Sequence, residues 1–166
     1  MRTSENGIKL IKQFESLHDG DLRDIGLQPK MDPIGIWTEG YGHAIRDKNG
    51  GFLKGSKNIK KAYELSKIHN EHDATNMLIN YDLPVMEKIV MQKVKVPLTQ
   101  NQFDALVSHT YNTGGSQGLF ALVNKKADPV EIKAWFQNKY VTGSGEKLPG
   151  LVRRRKAESD LFFKIG

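Results

Sequence analysis

The feature that most restricts the fold is a change of hydrophobic period along the chain. Across residues 36–42, IWTEGYG, the side chains alternate, with Trp37, Glu39 and Tyr41 on one side of a ribbon and Ile36, Thr38 and Gly40 on the other. Just before it, Asp32-Pro33-Ile34-Gly35 carries the residue preferences of a tight turn, and just after it Asn49-Gly50 signals a hairpin leading to a short return strand near residues 52–54. From about residue 58 onward nearly every segment reads as helix, and residues 4–17 form an amphipathic helix with Ser4 as its N-cap and Ile8, Ile11 and Phe14 on one stripe. The pattern predicts an α+β fold, with a small β-hairpin lobe over about residues 18–56 and a larger helical lobe from about residue 58 that includes the first helix. No linker divides the 166 residues, so one domain is expected.

The helical part is punctuated by recognisable starts and stops. Thr99 with Gln102 three residues on is a capping box, Asp128-Pro129 with Glu131 marks another start, and Asn112-Thr113-Gly114-Gly115 marks an end. Pro84 breaks or kinks the segment before them, with Asp82 as a possible cap, TGSGEKLPG reads as loop, and a last helix runs from about Leu151 to Phe163.

Charge and composition narrow the chemistry. There is no cysteine, which removes disulfides, thiolate metal sites and cysteine nucleophiles. A net charge of +6 favours polyanionic partners without choosing among them. The N-terminal residues carry no apolar stretch of signal-peptide length and no segment is long and apolar enough to span a bilayer, so synthesis in the cytoplasm is expected. His69 and His72, one turn apart, are better read as a polar surface than as metal ligands, and His109 as a buried, hydrogen-bonded imidazole. No metal and no cofactor is called for.

Acids draw attention next. On a helical wheel Glu15 falls between Ile8 and Ile11, within about 20° and 40° of them. A carboxyl on that stripe is either a desolvated acid able to stay protonated near neutral pH or a glutamate turned to solvent at a helix end. Arg154 falls between Leu161 and Ile165 while Arg153 and Lys156 point away, so one arginine of the RRR run faces inward and needs an anion, either Glu158 or Glu15. This division between core and solvent sets aside a nucleic-acid patch. Cleaving a glycosidic bond takes an acid and a second carboxylate. Asp19, Asp21, Asp24 and Asp32 are available for the second role, and Asp32 alone opens a turn that leads straight into the strand bearing Thr38.

Three blocks, F14-E15 with D32-P-I-G-I-W-T-E-G-Y-G-H43, L98-T-Q-N-Q-F-D-A-L-V-S108, and L148-P-G-L-V-R-R-R-K-A-E158, resemble the signatures of the phage-type lysozymes, glycoside hydrolase family 24. The resemblance implies a lysozyme-like fold with an active-site cleft between the two lobes. It also implies a Glu-Asp-Thr triad acting on the β-1,4 bond between N-acetylmuramic acid and N-acetylglucosamine, here Glu15, Asp32 and Thr38. Asp32 and Thr38 keep the family's D-x5-T spacing, but Glu15 and Asp32 stand eight residues further apart than usual, which reads as an insertion in the connecting loop, 18–31. Asp24 keeps the first half of the spacing and then meets a lysine at position 30, which makes it the alternative. Glu39 stands where an apolar residue is common, and is expected either to be exposed or to add charge to the cleft; Ser16 replaces a common glycine.

By the same resemblance Arg154 positions Glu15, Asn112 is a candidate for sugar contact, and Tyr41 and His43 are supporting positions. His43 is also readable as a structural imidazole paired with an acid. The expected partner is peptidoglycan, met by a monomer in the periplasm after a separately made hole opens the inner membrane. The C-terminal helix, with Arg153, Lys156, Lys164, Phe162 and Phe163, is a candidate for weak contact with an anionic outer membrane. The competing functions are a lytic transglycosylase, which Asp32 and Thr38 speak against, and a silent wall-binding module.

Overall fold

The computed structural model describes residues 1–15 and 27–166. Asp19, Asp21, Asp24, Ser16 and most of the 18–31 loop therefore lie outside the described residues. The chain forms two compact units, Glu15–Asp82 and Met1–Phe14 with Leu83–Gly166.

The smaller unit is built on a three-stranded antiparallel sheet, β1 (Lys30–Met31), β2 (Trp37–Glu39) and β3 (His43–Ala44), in that order. Lys30 stands opposite Thr38 and Met31 opposite Trp37, while Thr38 pairs with Ala44 and Glu39 with His43 on the other side. Single bridges Ile36–Lys54 and Arg46–Phe52 bring back the return strand that the sequence predicts. The alternation holds: Trp37, Glu39 and Tyr41 are buried, and Ile36, Thr38 and Gly40 are partly covered. Trp37 packs with Ile45, Leu53 and Ala62, flanked by Met31 and Leu65, and its indole donates to the carbonyl of Gly55 at 2.8 Å. Gly40 ends the ribbon at a φ of 60°, and a Cβ there would lie 2.6 Å from the end of the Ile68 side chain, so a larger residue would meet both a left-handed backbone and a crowded neighbour.

Helices α2 (Ile59–Leu65) and α3 (Glu71–Met77) complete this unit, followed by a π-helical turn at Leu78–Asp82. Pro84, second residue of α4 (Leu83–Lys93), cannot donate to the carbonyl of Asn80 and its ring crowds that carbonyl. The wide turn just before it takes up the clash.

In the larger unit α1 (Glu5–Glu15, its last residue assigned to the smaller unit) precedes α4, α5 (Gln100–Thr113), α6 (Gln117–Asn124), α7 (Pro129–Asn138) and α8 (Pro149–Phe162). The capping box forms as read: Thr99 accepts from the Gln102 amide at 3.1 Å, and the Gln102 side chain accepts from the Thr99 amide at 2.9 Å. Asp128 caps α7 by accepting from Val130, and Gly114 closes α5 at a φ of 84°.

Besides Lys30–Met31, read as the end of a loop and found as β1, three local expectations change. The Ser4 carbonyl accepts the Ile8 amide, but its hydroxyl and amide both donate to Asp104 on α5 instead of capping α1. Residues 142–147 are not loop but a hairpin, β4 (Thr142–Gly143) and β5 (Glu146–Lys147), whose Ser144 and Gly145 both take positive φ, 52° and 83°. That is the twist a two-residue hairpin demands. Finally, α8 buries Arg155 as well as Arg154, and Ile165 is 97% exposed because the helix stops at Phe162, before the wheel's last turn.

The centre of this unit is Glu158, fully buried on α8. Its carboxylate accepts from Ser108 at 2.9 Å, from Arg154 at 3.2 Å and from Arg155 at 3.1 Å, and lies 3.1 Å from His109 Nδ1. Two buried guanidiniums thus share one carboxylate. Removing that charge takes from both guanidiniums the carboxylate they share, a loss of several kcal/mol for a buried pair. Glu158→Gln is expected to lower the unfolding free energy by about 3 kcal/mol in urea titration; a loss below about 1 kcal/mol would contradict the central place given to this carboxylate.

Candidate active site

Asp32 follows β1 and closes a three-residue hairpin loop. Its amide donates to the Ile36 carbonyl at 2.8 Å, and its carbonyl accepts from Gly35 at 3.0 Å, with Gly35 at a φ of 85°. Its Oδ1 accepts the amides of both Ile34 and Ile36, each at 2.9 Å. One carboxyl oxygen is therefore pinned, and for Oδ2 no hydrogen-bond partner occurs among the described residues. Thr38 faces Lys30 across the ladder, and Lys30 and Asp32 are two residues apart on one strand. Asp32 and Thr38 are consequently diagonal neighbours on the same, less covered face of the ribbon. The Thr38 hydroxyl donates to the Lys30 carbonyl at 3.1 Å, leaving its lone pairs to accept.

A second aspartate, outside the four candidates, holds its loop in the same way. Asp47 builds the same hairpin: its amide donates to Gly51 at 2.8 Å, its carbonyl accepts from Gly50 at 3.0 Å, and its Oδ1 accepts from Asn49 at 2.8 Å and Gly51 at 3.0 Å. Aspartate at this position is a general way to satisfy the loop amides. What differs is the diagonal neighbour: two residues beyond the cross-strand partner lies Thr38 in the first hairpin and buried Leu53 in the second. Of the two, only the first places a hydroxyl-bearing residue at that diagonal position.

Glu15 is the last residue of α1 and is half-buried, on the same helix as fully buried Ile11. At the helix end the Arg154 guanidinium lies 5.8 Å from the ring centre of Phe14, the residue before Glu15, and is itself 3% exposed. Besides Glu158, Arg154 donates to the Ser108 carbonyl at 3.3 Å. Asn112 is exposed, and its Oδ1 accepts from Arg155 at 2.8 Å. Guanidinium has no acceptor, so this contact turns the Asn112 oxygen inward and leaves its amide protons for an outside acceptor. Burial pushes the Arg155 guanidinium below its ordinary pKa, against the pull of Glu158.

The supporting positions of the smaller unit are tied inside it. His43 Nδ1 lies 2.9 Å from Asp82, which matches the structural alternative for this imidazole. Tyr41 is buried and donates to Glu71 at 3.4 Å; burial, then the Glu71 charge, raises its pKa and keeps the phenol protonated. Glu39 is neither exposed nor free to charge a cleft. It is 4% exposed and accepts from Ser66 and from the Lys67 amide at 3.0 Å, fastening the segment between α2 and α3.

Sequence reasoning missed one constellation. Ser116 Oγ is 2.7 Å from His109 Nε2, and His109 Nδ1 is 3.1 Å from Glu158, which are the distances of a nucleophilic serine triad. All three are buried, at 1%, 0% and 0% exposure, and Glu158 already neutralises two arginines, so no substrate reaches the hydroxyl and the chain of bonds is a core element. His109 is the satisfied buried histidine that the sequence predicts, also meeting Phe136 and Tyr140 edge-on. His69 and His72 are exposed, and among the described residues no cluster of three metal-ligating side chains occurs.

Comparison with known proteins places these features. Residues 21–158 match the family model described as phage lysozyme. The chain is 29% identical over 169 residues to an endolysin of Acyrthosiphon pisum secondary endosymbiont phage 1, covering 98% of each sequence. Among solved structures it resembles the muramidase domain of SpmX from Asticaccaulis excentricus, with TM-score 0.72, 28% identity and 99% of both chains covered. It also resembles an endolysin from Escherichia coli O157:H7 phage FAHEc1, with TM-score 0.71, 31% identity, and 98% of this chain and 94% of that one covered. With its small antiparallel sheet joined to a helical body, and with the family match spanning both compact units, the chain belongs to the phage lysozyme family.

Proposed function

We infer that this chain is an endolysin, a glycoside hydrolase that degrades peptidoglycan. End-to-end similarity to an endolysin and to a muramidase domain carries the reading. At finer resolution we assign the cleaved bond as the β-1,4 link from N-acetylmuramic acid to N-acetylglucosamine. Glu15 protonates the departing oxygen. Asp32, ionised, stabilises the oxocarbenium-like transition state through the oxygen that its loop leaves free, and with Thr38 guides water to the anomeric carbon. Inversion at that carbon goes with carboxyl groups about 6.5–9.5 Å apart, against about 5–5.5 Å for a retaining enzyme. Arg154 supports Glu15 by holding the end of α1 at Phe14, and Asn112 offers its amide protons to the sugar.

No helix among the described residues is long and apolar enough to cross a membrane. We place synthesis in the host cytoplasm and action in the periplasm, after a separate agent permeabilises the inner membrane, as a monomer without metal or cofactor. Of the two aromatic residues in the C-terminal set that is a candidate for outer-membrane contact, Phe162 is 4% exposed and packs 6.2 Å from Phe136, while Phe163 is partly covered.

The twin hairpins supply the control experiment. Asparagine keeps an oxygen for both loop amides at either aspartate, so Asp32→Asn and Asp47→Asn should both melt within a few degrees of the unmodified protein, about 1 kcal/mol or less. On purified sacculi, Asp32→Asn should lose at least about a hundredfold in rate and Asp47→Asn almost nothing. Equal activity of the two variants refutes Asp32 as the second carboxylate and returns Asp24 to that role.

Glu15→Gln should lower turnover by about a hundred- to ten-thousandfold while leaving the far-ultraviolet circular dichroism unchanged. Released fragments from the unmodified enzyme should carry ordinary reducing ends by mass spectrometry. Anhydro ends would mark a lytic transglycosylase, and unchanged turnover in Glu15→Gln would remove the general acid.

A further inference from the structure

We propose that the exposed surface of α2 and its flanking turns binds anionic phospholipid bilayers. Residues 54–67, KGSKNIKKAYELSK, hold Lys54, Lys57, Lys60, Lys61 and Lys67 against one acid, Glu64, a net +4 out of the whole chain's +6. All five lysines are exposed, and none has an ion-pair partner among the described residues. Helix α2 is barely used by the core: Ala62 is its only fully buried residue. Opposing charges have thus been left off a surface that carries two thirds of the excess.

A charged patch alone would suit any polyanion. Two apolar side chains within it favour a lipid surface: Ile59 and Tyr63, one turn apart on α2, are 53% and 55% exposed amid the lysines. Exposing them to water in a soluble enzyme brings no packing, whereas at a bilayer interface an isoleucine and a tyrosine sink to the headgroup level while lysine stems reach back to the phosphates. Ile34, 77% exposed at the tip of the Asp32 hairpin, joins the same unit's rim, since the Gly55 amide at the head of this segment donates to the Gly35 carbonyl at 2.9 Å.

The C-terminal helix is the weaker candidate for such a contact, because Arg154, Arg155 and Phe162 are buried and Lys156 is paired with Asp160 at 2.7 Å. A lipid contact through α2 would hold the enzyme beside the wall it cuts, independently of which residues do the cutting.

The test is co-sedimentation of the full-length protein with vesicles of phosphatidylglycerol in phosphatidylcholine, with pure phosphatidylcholine as control, at low and physiological salt. The unmodified protein should bind only the anionic vesicles, more weakly as salt rises. Lys57→Ser/Lys60→Ser/Lys61→Ser should weaken binding at least about thirtyfold, as each lysine near such a surface is worth roughly fivefold. Ile59→Ser/Tyr63→Ser, with the lysines intact, should weaken it about tenfold or more. Both variants should keep full activity on purified sacculi, which separates lost docking from lost folding. Absence of binding by the unmodified protein, unchanged binding by either variant, or a comparable loss only in Arg153→Ser/Lys156→Ser/Lys164→Ser overturns the proposal. So does an outcome in which the lysine variant alone matters and duplex DNA gives the same pattern, for the surface is then a polyanion site.

Discussion

The helical unit depends on one buried carboxylate. Glu158 joins α8 to α5 through Ser108 and His109 and gives two buried arginines their shared counterion. Burying three charges is costly, and a hydrophobic replacement would pack the same space with less desolvation. What such a cluster provides instead is position. Arg154 reaches the ring of Phe14 at the end of α1, and Arg155 reaches Asn112 at the surface. The two residues just beyond those contacts, Glu15 and the outward amide of Asn112, are the ones assigned to acid catalysis and sugar contact. On that assignment, stability and chemistry are linked through one side chain.

The smaller unit uses a cheaper device twice. Asp32 and Asp47 each satisfy the amides of their own hairpin loops, with bonds that agree to within 0.1 Å between the two. A fixed aspartate is therefore no mark of catalysis in itself. Context makes the distinction: the neighbour across the ladder is a threonine in one case and a buried leucine in the other. On the proposed assignment, the same loop chemistry is structural in one hairpin and catalytic in the other, according to what stands two residues beyond its partner.

How much of this was legible in the sequence follows from distance along the chain. Caps and turns, written within four residues, were readable: the Thr99–Gln102 box, the Asp128 cap, the Gly114 stop and the alternation around Trp37 all appear in place. Partners far apart were not. Ser4 looked like a cap because its hydroxyl's true acceptor, Asp104, lies 100 residues on. Glu39 looked exposed or turned to a cleft because Ser66 and Lys67, which bind its carboxylate, are 27 and 28 residues away. Arg155 needed Asn112 and Glu158 together to explain its burial, and a wheel drawn through Ile165 ran past the helix end. For the site, the turn at 32–35 and the family's D-x5-T spacing pointed to Asp32 and Thr38, and the register makes the two diagonal neighbours on one face.

The central claim is that Asp32 and Thr38 deliver water rather than a covalent bond to the sugar. Its most direct measurement is the anomeric configuration of the newly formed reducing end, read by proton NMR in the first moments of digestion, before the anomers equilibrate. Cleavage of a β link by delivered water gives the α anomer first. Initial release of the β anomer would contradict the account, since it requires double displacement and a carboxylate that attacks.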